Sequence, residues 1–130
     1  MIIELTPDNF FTEVKTEGPL HVVMHYGVTC GPCKITMPNY EAVAQHFIEY
    51  NRGDRVKFYK FHQWEANYRQ FINDNNMKVN GVPTFRFYYN GEVMEETTKS
   101  FSDPNVIKQM IMDVGRAINS TLGGFNLDKD

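Results

Sequence analysis

Apolar residues follow two kinds of spacing along the chain, which predict strands and helices in alternation. Dense runs of apolar, β-branched and aromatic residues, such as Leu20 to Tyr26, are typical of buried strands. Apolar residues that recur every three or four positions indicate amphipathic helices. The pattern predicts strands at 2–5, 20–26, 56–61, 84–89 and 93–98, and helices from Thr6 to about Lys15, at 31–50, around 68–72 and after Asp103-Pro104.

Short local signals set the expected ends of these elements. Thr6-Pro7-Asp8 supplies an N-cap and a first-turn proline for the first helix. Pro38 should kink the second helix, residues 51–54 have the composition of a turn, and Asn90-Gly91 predicts a type I′ turn between the last two strands. The helical stripes are Tyr40, Val43, Ala44, Phe47 and Ile48 in the second helix and Ile107, Ile111, Val114, Ile118 and Leu122 in the last.

The order β-α-β-α-β-α-β-β-α predicts an α/β fold with a central mixed sheet and helices on both of its faces. The chain has 130 residues, 42% of them apolar, which is enough for one packed core. We therefore expect one domain at 1–122, followed by a flexible tail at 123–130 that is loose from Phe125 onward.

Charge and hydropathy narrow the classes of function. The net charge is −3 and the sequence pI is about 5.8, which argues against nucleic-acid binding as the main task. No apolar run reaches the roughly 20 residues that a membrane span requires. The first residues lack the charged start and the apolar stretch of a secretory signal, so the expected location is the cytoplasm.

The candidate chemistry lies in the only two cysteines, Cys30 and Cys33, which the predicted second helix places at its start. Two thiols at this spacing form a reversible dithiol–disulfide couple. Free N–H groups at a helix N-terminus favour a thiolate, so Cys30 is the expected nucleophile and Cys33 the resolving residue. Gly31 allows close approach of a partner, and Pro32 stiffens the turn. The couple needs no bound cofactor, because its electrons reside on the sulfurs.

A zinc site is the alternative that the two cysteines leave open. Structural zinc requires four ligands, and the chain has no second cysteine pair. A site with two cysteines and two histidines would need His25 and His62 to converge on the pair, and the histidines lack zinc-finger spacing.

Three segments resemble those of a known family. They are Tyr26-Gly27-Val28-Thr29-Cys30-Gly31-Pro32-Cys33-Lys34 with Pro38 five residues after the second cysteine, Gly81-Val82-Pro83-Thr84-Phe85, and Asn90-Gly91-Glu92. Their order and spacing resemble those of the thioredoxin family over residues 1 to about 122. The resemblance implies the thioredoxin fold, with about five strands flanked by about four helices.

The same resemblance implies an activity and a site. A thioredoxin reduces disulfides in other proteins and is itself reduced by a thioredoxin reductase. For this chain we expect a monomer, with neither nucleic acid nor membrane among its partners. The Val82–Pro83 bond would be cis and would pack beside the cysteines, and the Val82 backbone would pair with an extended substrate segment. Thr29, Val82 and Pro83 are then the substrate-binding positions, and Gly31, Pro32, Lys60 and Pro83 shape the site.

The chain departs from the family pattern behind the cysteines. Met24 stands where thioredoxins have a buried aspartate that helps to deprotonate the resolving cysteine. His25, His62, Lys60 and water are the remaining candidates for a base. Lys60 would serve if it were buried without a partner, because burial favours the neutral amine; the alternative is a lysine that reaches solvent. His25 should face the other side of the sheet, as a relay or as a hydrogen-bonded core histidine.

Further departures lie on the expected docking surface. Thr29 replaces the usual tryptophan before the first cysteine, and Lys99-Ser100-Phe101 stands near the family's glycine in the last docking loop. Trp64 occupies a position where an acidic residue is common, and we interpret it as the cover of an enlarged core in preference to an exposed anchor. These changes leave a second hypothesis open, a redox-independent binding subunit of a larger assembly. An isomerase or oxidase is a third, distinguished by redox potential.

Overall fold

The structure, a computed structural model, describes residues 2–50 and 54–127. The predicted turn at 51–54 therefore lies mostly outside the described residues. The elements are β1 (Ile2–Leu5), α1 (Phe10–Val14), β2 (Leu20–Tyr26), α2 (Gly31–Glu49), β3 (Val56–His62), a 3-10 turn (Ala66–Tyr68), α3 (Arg69–Asp74), β4 (Thr84–Tyr89), β5 (Glu92–Thr98) and α4 (Pro104–Leu122).

The strands form one mixed sheet in the order β1-β3-β2-β4-β5. The first three strands run parallel, whereas β4 and β5 pair antiparallel as a hairpin. Asn90 and Gly91 at its turn have φ values of 50° and 85°, the positive values that a type I′ turn requires. The mixed sheet and the hairpin turn that the sequence predicts are confirmed.

Alternation along β2 divides the core into two layers. Val22 and Met24 contact the apolar cluster beneath α2 and α4, whereas Val23 contacts the cluster beneath α1 and α3. Both stripes predicted for the long helices are buried apart from their last residues, Ile48 and Leu122. The parallel strands thus lie between helices on both faces, as buried apolar runs require.

The first helix begins later than the sequence predicts. Asn9 Oδ1 accepts the N–H of Thr6 at 2.7 Å, and the N–H of Phe10 donates to the Thr6 carbonyl at 3.0 Å. These bonds close a turn over residues 6–9, so the helix starts at Phe10. On α4, the predicted cap is present, because Asp103 Oδ1 accepts the N–H of Asn105 at 2.9 Å.

The segment after α4 differs from the loose tail that the sequence predicts. Phe125 and Leu127 are 5% and 2% exposed. Phe125 packs edge-on against Tyr89 with ring centroids 5.1 Å apart. Leu127 lies over Gly115, where an added Cβ would come within 2.8 Å of Leu127 Cδ1. Phe125 and Leu127 therefore belong to the core, and residues 128–130 lie outside the described part.

None of the helices within residues 2–50 and 54–127 combines the length and apolar character that crossing a membrane requires.

Candidate active site

The two cysteines lie where β2 ends and α2 begins, at the carboxyl end of a central strand. Cys30 is the N-cap of the 19-residue helix, with extended backbone angles, and Pro32 sits in the first turn. Cys30 Sγ accepts the N–H of Cys33 at 3.1 Å. The helix thus directs a free N–H group at this sulfur, the arrangement that stabilises a thiolate.

Cys30 and Cys33 form a disulfide bond, with their Cα atoms 5.2 Å apart. Their exposed fractions are 5% and 3%, while Gly31 and Pro32 between them and Thr29 before them are exposed. The bond therefore lies just beneath a surface that a partner backbone can reach.

The loop that precedes β4 closes the site opposite the helix. The Val82–Pro83 peptide bond is cis, and the Val82 carbonyl oxygen lies 3.6 Å from Cys30 Sγ. Thr84 Oγ1 donates to the Gly81 carbonyl at 2.5 Å, and the N–H of Lys99 donates to the Pro83 carbonyl at 3.1 Å. Hydrogen bonds on both sides hold the Val82 backbone beside the reactive sulfur.

The loop after β5 is joined to α2. The N–H of Phe101 donates to Thr36 Oγ1 at 2.9 Å, and Asn39 Nδ2 donates to the Phe101 carbonyl at 2.7 Å. The Lys99 ammonium lies 5.6 Å from the centre of the Phe101 ring. The structure therefore brings together the start of α2 with the cysteines, the loop with Val82 and Pro83, and the loop at 99–101.

Behind the cysteines, the candidate base Lys60 does not meet the condition set for it. Met24, with which it pairs in register, is fully buried. Lys60 itself is 34% exposed, and its Nζ lies 3.8 Å from a Glu4 carboxylate oxygen and 5.8 Å from the centre of the Tyr26 ring. The condition of a buried, unpaired lysine is not met, and Lys60 follows the alternative, a lysine that reaches solvent, with the carboxylate of Glu4 supplied by the neighbouring strand β1.

His25 faces the layer of α1 and α3, as expected, and is fully buried. Its Nδ1 hydrogen-bonds Gln63 Oε1 at 2.8 Å, whereas Nε2 has no hydrogen-bond partner among the described residues. Burial lowers the pKa of His25 to about 4, although the bond to Gln63 opposes this shift. Gln63 Nε2 in turn donates to the Met77 carbonyl oxygen at 3.0 Å, so both ends of the Gln63 amide are hydrogen-bonded. Sequence reasoning missed Gln63, because a glutamine in a polar stretch carries no signal of a buried role.

The zinc hypothesis is not supported by the sheet. In register, His25 pairs with Phe61, and Tyr26 pairs with His62. Residues paired across adjacent strands share a face, whereas successive residues along one strand alternate, so His25 and His62 point to opposite sides of the sheet. Within residues 2–50 and 54–127, no three histidine, cysteine or acidic side chains gather where they could hold a metal ion.

Trp64 is exposed, so the prediction that it covers the core is wrong. Its exposed fraction is 54%, and its backbone N–H donates to His62 Nδ1 at 3.2 Å. The indole lies against Gly27, where an added Cβ would be only 2.6 Å from Trp64 Cζ3. Strand β3 ends at His62, two residues before Trp64. The ring lies at the surface, beside the loop that leads to the cysteines.

Comparisons with known proteins agree with this geometry. The family model described as Thioredoxin matches residues 1–113. Thioredoxin of Peptoclostridium acidaminophilum is 31% identical over 111 residues, covering 85% of this chain and 93% of the relative. Chloroplast thioredoxin F1 of Arabidopsis thaliana is 31% identical over 98 residues, covering 75% and 50%. The crystal structure of spinach chloroplast thioredoxin f superimposes with a TM-score of 0.68 at 24% identity, over 87% of this chain and 85% of the other.

Proposed function

The chain belongs to the thioredoxin family, and from this premise we propose that it reduces disulfide bonds in other proteins. It is a thiol–disulfide oxidoreductase; the direction, the protein substrates and the residue roles are the proposal. The observation that carries it is the Cys30–Cys33 bond at the start of α2, with the Val82 carbonyl beside Cys30. A redox-independent binding subunit is not favoured, because it would not need this intact pair.

Reduction of a substrate proceeds in two exchanges. In the reduced protein, the Cys30 thiolate attacks one sulfur of the substrate disulfide, forming a mixed disulfide and releasing the other substrate sulfur as a thiolate. The Cys33 thiolate then attacks Cys30 Sγ, which forms the Cys30–Cys33 bond and releases the second substrate thiolate. Two electrons pass from the cysteine pair to the substrate, and released thiolates take up protons from solvent.

The surroundings of the pair support these roles. The N–H of Cys33 and the free end of α2 stabilise charge on Cys30. The Val82 backbone pairs with an extended substrate segment, in the manner of strand addition. Pro83 lacks an N–H and so keeps a competing donor away from the sulfurs. Thr29 lies at the rim that the substrate contacts.

The remaining positions shape the approach to the sulfurs. Gly31 admits a partner backbone because no atom of the described part of the chain lies within 4 Å of the place a Cβ would occupy. Pro32 stiffens the first turn of α2. Lys60 holds Glu4 and Tyr26 together at the edge of the sheet, a positioning role.

We assign a thioredoxin reductase as electron donor, disulfide-containing proteins as substrates, a monomeric state and a cytoplasmic location. The bacterial relative that is named a thioredoxin and matches most of its length supports this assignment. Neither a nucleic acid nor a membrane is a partner in the proposed reaction.

Reduction of insulin by dithiothreitol tests the proposal. We expect a rate well above background between about pH 6 and pH 9, lost in Cys30→Ser. Cys33→Ser should trap a mixed disulfide, because the second exchange is blocked. An insulin rate no higher than that of Cys30→Ser would refute protein-disulfide reduction.

A further inference from the structure

A groove leads away from the cysteine pair along the layer of α3. It has a volume of about 730 Å³ and is lined by Trp64, Arg69, Asn73, Lys78, Asn80 and Val82, together with neighbouring residues. We call it the Trp64 groove. It begins at Val82, whose carbonyl oxygen lies 3.6 Å from Cys30 Sγ. A substrate segment whose cysteine meets Cys30 and whose backbone follows Val82 therefore has its flanking residues beside this groove.

Trp64 has the position of an anchor at the mouth of the groove. The indole rests on Gly27 with no side chain between them, and the backbone beneath it is fixed by the bond from Trp64 N–H to His62 Nδ1. About half of the side chain remains exposed. A large ring that is already held loses little conformational freedom when a partner covers it, which is why tryptophan is frequent among residues that dominate binding.

The charges in the groove favour an acidic partner. Arg69 and Lys78 are exposed, and neither forms a salt bridge with any residue in the described ranges. Glu65, the acidic residue that also lines the groove, already accepts the N–H of Asn67 at 2.8 Å. With two cationic side chains against one carboxylate, the lining carries an excess of positive charge, although the whole chain has a net charge of −3.

We propose that the Trp64 groove selects protein disulfides whose reacting cysteine is flanked by acidic side chains, with Trp64 covering the flanking segment and Arg69 and Lys78 binding its carboxylates. This rests on the proposed function. Trp64 thereby supplies the aromatic docking surface that Thr29 lacks. The groove determines which substrate reacts, while the exchange chemistry stays at the two cysteines.

The test uses short peptides that share one cysteine, activated as a mixed disulfide with the neutral leaving group 2-thiopyridine. Two residues beside the cysteine are aspartates, asparagines or lysines. The reduced protein is mixed with each peptide, and release of thiopyridine is followed by absorbance in single turnover. The rate with the small neutral disulfide 2,2′-dithiodipyridine is measured for every variant, and each peptide rate is divided by it.

The wild type should prefer the aspartate peptide over the lysine peptide by about fivefold at low salt, the size of one or two exposed ion pairs. Added salt should reduce the preference. Lys78→Gln and Arg69→Gln should each remove part of it. Lys108→Gln is the matched control, since it removes the same charge from α4 on the opposite face, and it should keep the full preference.

Trp64→Ala should lower the normalised rates of all three peptides by about tenfold, and Trp64→Phe should restore part of the loss. Tyr50→Ala, which removes an exposed ring at the far end of α2, should leave the normalised rates unchanged. Equal rates for the three peptides, or a Trp64→Ala variant with wild-type normalised rates, would overturn the groove proposal. Failure of the wild type to react even with 2,2′-dithiodipyridine would instead contradict the proposed function.

Discussion

The stability of the fold should fall between neutral and mildly acidic pH because of His25. This imidazole is fully buried, its Nε2 has no hydrogen-bond partner within residues 2–50 and 54–127, and burial lowers its pKa from 6.5 to about 4. The nearby Arg86 guanidinium acts in the same direction. Protonation in the folded protein would place a charge among Phe10 and Phe61, whose rings lie 6.4 Å and 5.7 Å away.

The sign and size follow from proton linkage. Below pH 6.5 the unfolded chain binds a proton at His25 that the folded chain does not, so acid favours unfolding until the folded pKa is reached. One pKa unit corresponds to about 1.4 kcal/mol. Going from about pH 7 to about pH 5, the contribution of His25 is a loss of about 2 kcal/mol in the free energy of unfolding.

Urea unfolding of the oxidised protein, followed by circular dichroism at both pH values, measures this loss. His25→Gln removes the titrating group, so its loss should be smaller than that of the wild type by about 2 kcal/mol. His21, whose pKa is also lowered by burial, is common to both proteins and cancels. The reasoning is refuted if His25→Gln loses as much stability as the wild type, or if NMR shows that the His25 imidazole titrates near pH 6.5 in the folded state.

Substitutions test three further contacts. Gly27→Ala should displace the Trp64 ring and change its fluorescence, whereas Gly31→Ala, with nothing within 4 Å of its Cβ, should not; equal spectra for the two variants would contradict the contact. Tyr40→Phe removes a buried hydroxyl that lies 2.8 Å from carbonyl oxygens on both β2 and β3, so urea unfolding should show a loss of about 1–3 kcal/mol. Leu127→Ala should cost about 2–5 kcal/mol in the same assay, and a loss near zero would mean that the segment after α4 is not part of the core.

The fold and the cysteine pair were predictable because their signals are local. The spacing of apolar residues reports which face of an element is buried, and Asn90-Gly91 meets the need for positive φ at two successive positions. Cys30 and Cys33 lie within one helical turn, so their proximity follows from three positions of sequence separation. Each of these predictions depends on neighbours along the chain.

The surroundings of Lys60, Trp64 and Leu127 depend instead on contacts between distant segments. The surroundings of Lys60 are set by Glu4 on β1, 56 positions away. The burial of Leu127 depends on its contact with Gly115 of α4, which the local sequence after that helix does not reveal. Trp64 reads as a core residue by type, but its exposure follows from where β3 ends and from the absence of a side chain at Gly27. Apolar character alone does not distinguish a core position from an anchor at a surface.

In this protein, backbone groups surround the reacting sulfurs, whereas side chains from distant segments form the groove that we propose for substrate choice. Cys30 Sγ accepts a hydrogen bond from a backbone N–H. The group that faces it from the loop before β4 is the backbone carbonyl of Val82. Side-chain changes elsewhere leave both groups in place, which is why Met24 and Thr29 are compatible with an intact pair. The Trp64 groove, by contrast, is lined largely by side chains of the segment after β3. Its tryptophan packs against Gly27, which precedes the cysteine pair. Substitutions in that segment can therefore change which disulfides are bound while the two sulfurs and their hydrogen-bond donor stay as they are.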